Sequence, residues 1–199
     1  MELKRQYPRS WWWSSFFLAY VSQHIFLFGI TAPLYAAFAD PRPMNFGVVD
    51  AGCILMSIAG IYLAHRADTV LRAFMIDNEA REARGAPKTL LLESGPWRYS
   101  RHPNYVGEQI HWWALGLLAA HQGYTWMLMG PLLNSICLGV ATQMVEERML
   151  RNEGRKAAYE GYQRRVDVWI PFSNPVAAAK AAIGAITGAA APPAQQHRE

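Results

Sequence analysis

Charge and cysteine are both scarce in this chain. Asp, Glu, Lys and Arg together make up 17% of its 199 residues, against 52% apolar residues. The two cysteines, Cys53 and Cys137, both lie inside apolar runs, so they read as small core residues without a disulfide. No zinc-ligand spacing and no nucleic-acid motif is present, so no metal site and no nucleic-acid partner is expected. The net charge of +4 is modest, and the basic residues sit in clusters beside apolar segments. That pattern suits lipid headgroups and anionic cofactors better than a nucleic-acid groove. The start also lacks the form of a cleaved signal peptide, whose apolar core is roughly 7–15 residues long. The first apolar run is longer and contains Pro33, and it reads as a retained membrane helix behind an interfacial belt, Trp11-Trp12-Trp13.

What the chain does have is apolar length. A span needs ~20 mostly apolar residues, and four segments qualify: Phe16–Phe38, Gly47–Ala64, Val106–Ala120 and Tyr124–Val145. Asp40-Pro41-Arg42-Pro43 breaks the first from the second, and His121-Gln122-Gly123 turns the third into the fourth. Lys and Arg number three in the first nine residues, seven in the Arg66–Pro103 loop and six in Glu146–Arg165, with few elsewhere. The positive-inside rule therefore places both termini and the long loop in the cytoplasm. The expected fold is all-α: a polytopic membrane helix bundle of about four spans with a cytoplasmic C-terminal amphipathic helix.

Span two carries Asp50, Cys53, Ser57 and Gly60 at helical spacing, which predicts a small-residue packing face. His24 on span one reads as a buried, hydrogen-bonded structural histidine, with catalysis as the alternative. Beyond Val145 the helix continues out of the membrane, with Glu147 and Arg151 paired at i,i+4. Tyr159, Tyr162, Val166 and Trp169 then form a face able to fold back onto the membrane surface, ending at Pro171. Residues 1–172 form the expected membrane domain, and 173–199 a weakly ordered Ala/Pro-rich tail.

The richest stretch runs from Ser94 to Glu108 and contains Trp97-Arg98-Tyr99-Ser100-Arg101-His102-Pro103-Asn104-Tyr105-Val106-Gly107-Glu108. Pro103 suits the first turn of a helix, where its missing N–H costs nothing. Asn104, Glu108 and His111 then share one face, with Tyr105, Glu108 and Trp112 on a neighbouring stripe. A carboxylate at the mouth of a membrane helix needs a partner, and Arg98, Arg101 and His102 are the nearby candidates. Two arginines beside a helix N-terminus also form an anion site. Asn104 offers a donor and an acceptor, and Glu108 can accept from an amide, a ribose or an amine.

This stretch resembles the cofactor motif of the membrane steroid 5-alpha-reductase-like proteins, particularly an uncharacterised branch from bacteria, plants and algae. The resemblance extends from Ser22 to Phe172. It takes in Ser22-Gln23-His24-Ile25-Phe26-Leu27, Ala67-Asp68-Thr69-Val70-Leu71-Arg72, Glu147-Arg148-Met149-Leu150, Tyr159-x-x-Tyr162-Gln163 and Trp169-Ile170-Pro171. It implies NADPH in a cytoplasm-facing cavity. Asp68 and Arg72 would help hold the nucleotide, Asn104 and Glu108 would contact its amide and polar edge, and Arg98, Arg101 and His102 would face phosphate or ribose. The implied activity is reduction of a C=C bond in a membrane lipid or steroid-like substrate. Tyr105 and Glu108 are the expected catalytic residues, with Tyr105 or His24 as local proton donors. In a eukaryotic cell the resemblance implies the endoplasmic reticulum or another endomembrane.

Two departures open alternatives. The early helices that carry the reductases' acid residues have no counterpart here, which points to an incomplete form, to different chemistry or to a partner subunit supplying them. Where the reductases have Arg and His after the final span, this chain has Glu146-Glu147-Arg148. That feature is similar to the isoprenylcysteine carboxyl and phospholipid methyltransferases. It would make S-adenosylmethionine the cofactor, with Glu147 facing its amino group. Methyl transfer depends on alignment more than on a general acid. A non-enzymatic membrane subunit is the third reading.

Overall fold

The computed structural model describes Ser10 and residues 13–14, 16–39 and 46–169. The basic start, Trp11, Trp12, the Asp40–Pro43 break, Pro171 and the Ala/Pro-rich tail lie outside the described residues. Every regular element among the described residues is helical. A π-helical stretch, Phe16–Val21, leads into α1 (Ser22–Ala39). Then follow α2 (Val48–Ala83), α3 (Pro103–His121), α4 (Met129–Arg151) and α5 (Glu153–Arg165). Short 3₁₀ turns, Gly95–Arg98 and Thr125–Leu128, precede α3 and α4.

Two helical runs, Val48–Ala83 and Thr125–Arg151, are long and apolar enough to cross a membrane. Only 17% and 22% of their most apolar windows are buried within the protein, where the core helix of a soluble protein would be mostly buried. Ile54, Leu55, Ile58 and Ile61 on α2, with Ile136, Val140 and Met144 on α4, are exposed. Apolar side chains turned outward in this number call for an apolar solvent. The first and third expected spans fall on α1 and α3, of 18 and 19 residues.

The segment read from sequence as a loop, Arg66–Pro103, is helical as far as Ala83. At 1.5 Å per residue α2 is ~54 Å long, against ~30 Å for a hydrocarbon core. Hydropathy marks where the apolar stretch stops, not where the helix does. No Gly or Pro occurs between His65 and Ala83 to break it. The stop comes at Gly85, whose φ of 69° suits glycine. Gly85 N–H donates to the Glu82 carbonyl at 3.0 Å and Ala86 N–H to that of Arg81 at 2.9 Å, a Schellman closure. Asn78 then fastens the returning chain to α2. Its Nδ2 donates to the Thr89 carbonyl at 3.0 Å, and its Oδ1 accepts from Thr89 N–H at 2.7 Å.

The chain divides into two compact units. The first comprises Met1–Tyr62 and Gly107–Ala141, and the second Leu63–Val106 and Thr142–Glu199. Within the first, small residues let backbones approach closely. A Cβ on Gly60 would lie 2.6 Å from the Gly107 carbonyl oxygen and 2.7 Å from the His111 nitrogen. This bears out the expected packing face on α2, where Asp50 and Cys53 are buried and Ser57 bonds His111. Pro33, lacking an N–H, leaves the Gly29 carbonyl without its helical donor. A Cβ on Gly130 of α4 would come within 2.6 Å of that oxygen. Polar side chains reinforce the α3–α4 contact. Trp113 Nε1 donates to Gln109 Oε1 at 3.1 Å and to Ser135 Oγ at 3.0 Å.

Two expectations for single residues change. His24 is hydrogen-bonded as expected, Nδ1 to the Tyr20 carbonyl at 2.7 Å, but it is exposed rather than buried. Cys53 is buried, whereas Cys137 is exposed on α4. Apolar neighbours in sequence mark a core position only where the bundle, not lipid, supplies the apolar environment.

Gly60→Val should force α2 and α3 apart and lower stability by about 1–3 kcal/mol or more, read as a lower melting temperature in detergent. Gly52 has open space around its Cβ position. Gly52→Ala should therefore be neutral or stabilising by up to about 1 kcal/mol.

Candidate functional site

The arginine–histidine motif is anchored from within the second unit. The 3₁₀ turn Gly95–Arg98 is held against α2 by Trp97, whose Nε1 donates to the Ala67 carbonyl at 3.0 Å. Gly95 has φ 58°, and a Cβ there would meet Val70 at 3.3 Å, so the turn sits close against α2. The Tyr162 hydroxyl on α5 donates to the Trp97 carbonyl and lies 3.3 Å from the Ser100 carbonyl. Ser100 Oγ donates to the Val168 carbonyl at 3.3 Å and accepts from His102 N–H at 3.2 Å. Arg101 N–H donates to the Asp167 carbonyl at 2.9 Å.

The chemistry of the site centres on Glu146. Arg101 donates to its carboxylate through Nε at 2.7 Å and Nη2 at 3.1 Å, a bidentate pair. Gln163 Nε2 donates to the same carboxylate at 2.9 Å, and His102 Nε2 lies 3.3 Å from it. Arg101 Nη1 donates to the Val166 carbonyl at 2.6 Å and lies 3.3 Å from that of Gln163. The Arg101 and Glu146 side chains are 11% and 16% exposed, and that of His102 is 6% exposed, so solvent screens the pair weakly. Glu146 lies just past the apolar stretch that ends at Val145. Burial by itself raises its carboxyl pKa; the bonds from His102, Arg101 and Gln163 and the Arg101 charge outweigh that and hold it at about 2. Tyr159 is buried beside the pair, and burial together with the Glu146 charge pushes its phenol up to about 12. Burial also raises the phenol of Tyr162. Both tyrosines stay neutral hydrogen-bonding groups.

Three expectations change here. Arg101 and His102 bond Glu146, which α4 carries to them across 45 residues of sequence. The Tyr159 and Tyr162 face of α5 turns onto the Ser94–Arg101 segment and not onto a membrane surface. Those hydroxyls find backbone and charged partners there that lipid would not offer. The helix also ends earlier than Pro171, at Arg165. The expected Glu147–Arg151 pair is present at 3.4 Å.

The other site residues are dispersed. Tyr105 stacks on the His102 ring, with centroids 5.3 Å apart and planes 15° apart. Asn104 sits on the first turn of α3, and its Oδ1 is buried without a hydrogen-bond partner. Glu108 lies one turn further along α3 and is exposed. Asp68 and Arg72 are exposed on α2, and Arg98 is exposed with its guanidinium 5.6 Å from the Tyr99 ring centroid. Glu147 is exposed and hydrogen-bonded by Gln143 and Arg151, both at 3.4 Å. Among the described residues no cluster of His, Cys, Asp and Glu suits a metal ion. Sequence reasoning missed Glu146 and Gln163 as partners of the motif. Glu146 was visible as the first acid after an apolar span, but its target was not.

Removing one partner of a shielded ion pair leaves an uncompensated charge. Glu146→Ala should cost about 3–5 kcal/mol, measured by thermal or denaturant unfolding in detergent. The double variant Arg101→Met, Glu146→Met should recover much of that loss. The carboxyl pKa is depressed in the fold, so its contribution is complete above the ordinary carboxylate value. It should decline as pH falls through about 2. Glu146→Gln should abolish that acid-dependent component.

A family model described as "Protein of unknown function (DUF1295)" matches residues 1–166. Comparison with curated proteins and with solved structures gives no match. The matched stretch contains all of α1 to α5 and the Arg101–Glu146 centre, and the chain belongs to the DUF1295 family.

Proposed function

We propose that the protein is an integral membrane oxidoreductase of the steroid 5-alpha-reductase-like kind, using NADPH to reduce a C=C bond in a lipid or steroid. One observation carries this reading. Asn104 Oδ1, in the motif that prompted the resemblance, is a buried acceptor without a donor. Such an atom costs about 1–3 kcal/mol unless a ligand or water satisfies it. The carboxamide N–H₂ of a nicotinamide is a donor of the required kind. Glu108, one turn along the same helix, offers a carboxylate to the cofactor's polar edge.

Arg101 and His102 take a different part from the one the resemblance assigns. Their hydrogen bonds to Glu146 make them the frame that fixes the start of α3. Phosphate and ribose contacts then fall to Arg72 and Arg98, which are exposed, with Asp68, one turn before Arg72 on α2, on the ribose. When bound, the dihydronicotinamide supplies the hydride. The chain would position it and provide the proton. Charge placement supports a cytoplasmic side for the motif, where NADPH is available.

The methyltransferase reading fits less well. It needs a glutamate near the final span facing the cofactor's amine. Glu146 is committed to Arg101, and Glu147 is paired with Arg151 at 3.4 Å.

Purified protein in lipid nanodiscs, titrated separately with NADPH and S-adenosylmethionine, tests this reading. Saturable binding of NADPH alone is expected; saturable binding of only S-adenosylmethionine overturns it. Glu108→Gln should weaken NADPH binding by roughly ten- to a hundredfold, the loss of one charge-assisted hydrogen bond. Its melting temperature should fall little, because Glu108 is exposed on α3.

A further inference from the structure

A hydride added to a conjugated C=C leaves an enolate that must take up a proton. The two local donors visible in the sequence are poorly suited. Tyr105 is stacked on His102, and His24 is exposed on α1 with its Nδ1 bonded to a backbone carbonyl. The first unit contains a better candidate. His111 of α3 is half-buried, and its Nδ1 lies 2.8 Å from Ser57 Oγ of α2. The pair is held tightly, because Gly60 of α2 lies directly against the His111 backbone nitrogen. Trp112 contacts the ring edge-on, with centroids 4.8 Å apart. Among the described residues, Nε2 of His111 has no hydrogen-bond partner and is not one of the buried, unsatisfied atoms.

We propose that His111 is the proton donor of the reductase and Ser57 its positioning residue. The inference rests on the reductase reading above. Ser57 has one hydroxyl proton to give. When it donates to Nδ1, the neutral ring carries its own proton on Nε2, the edge that is free. His111 lies three residues beyond Glu108 and seven beyond Asn104 on one face of α3. In the balanced step, a bound dihydronicotinamide would supply the hydride, with its electron pair, to the carbon β to a carbonyl. The C=C electron pair moves toward the carbonyl as an enolate. The Nε2–H bond of His111 breaks as the α-carbon of the enolate takes the proton; the imidazolate left behind, held by the Ser57 hydroxyl at Nδ1, takes a proton from water and hydroxide leaves to solvent.

The test uses full-length protein in nanodiscs. Nε2 accessibility is read first, without any substrate, as carbethoxylation of His111 by diethyl pyrocarbonate, followed by mass spectrometry. Modification of His111 is expected, and a fully protected His111 overturns the proposal. Hydride transfer is then followed with NADPH deuterated at its transferable position and progesterone or a total membrane lipid extract as acceptor. Wild type should place deuterium in the acceptor. His111→Gln should bind NADPH with unchanged affinity and lose at least a hundredfold in transfer rate. Ser57→Ala should lose roughly tenfold in rate with unchanged NADPH affinity, and Ser57→Thr should restore it. Full transfer by His111→Gln overturns the proton-donor assignment and leaves the reductase reading intact. Saturable S-adenosylmethionine binding with no transfer by wild type overturns both. If His111→Gln does not fold, the Ser57 pair decides the matter: equal rates for Ala and Thr overturn the assignment.

Discussion

The carboxylate of Glu146 is the fixed point of the second unit. It accepts two bonds from Arg101 and one from Gln163, with His102 against it. Without it, a guanidinium only 11% exposed would be left without its anion, which a membrane-side environment penalises heavily. Arg101 in turn ties down the C-terminal segment through the carbonyls of Val166 and Asp167. Tyr162 closes the loop from the other side, onto the carbonyls of Trp97 and Ser100. The result sets the point at which Pro103 starts α3, and so the direction in which Asn104 is presented.

The first unit is held by a different kind of contact. Lipid tails provide little drive for one apolar helix to prefer another, so close backbone packing and shared polar groups must do it. Gly60 against Gly107, and Gly130 against Gly29, bring backbones together where any Cβ would collide. Gln109, Trp113 and Ser135 add hydrogen bonds among side chains that would otherwise face hydrocarbon. Some polar capacity stays unused. Asn134 is buried with its Nδ2 unpartnered, as is Gln109 Nε2, and no occupant for either is evident.

The two kinds of contact divide the labour of the proposed reaction. The charged frame around Glu146 fixes backbone. The residues left with spare bonding capacity, Asn104 with an unsatisfied oxygen and His111 with a free ring edge, are those proposed to act on ligands. Arginines placed beside a helix start invite an anion-site reading from sequence. The three-dimensional arrangement divides them into one internal strut, Arg101, and exposed residues such as Arg72 and Arg98 that remain available.

The sequence by itself determined the helical class, the apolar stretches, the start of α3 at Pro103, the His121–Gly123 turn and the small-residue face on α2. Each depends on local propensity or on a period that a single helix repeats. It also singled out the motif from Arg98 to Glu108. Tertiary structure decided the rest. Helix α2 extends through residues that hydropathy marks as loop, because charged residues form helix outside a membrane as readily as apolar ones do inside it. The Tyr159–Tyr162 face turned inward because the carbonyls of Trp97 and Ser100 were there to receive it. Arg101 took Glu146 as its partner, and Ser57 met His111, because packing brought together residues 45 and 54 positions apart. Neither hydropathy nor helical periodicity encodes contacts at that separation.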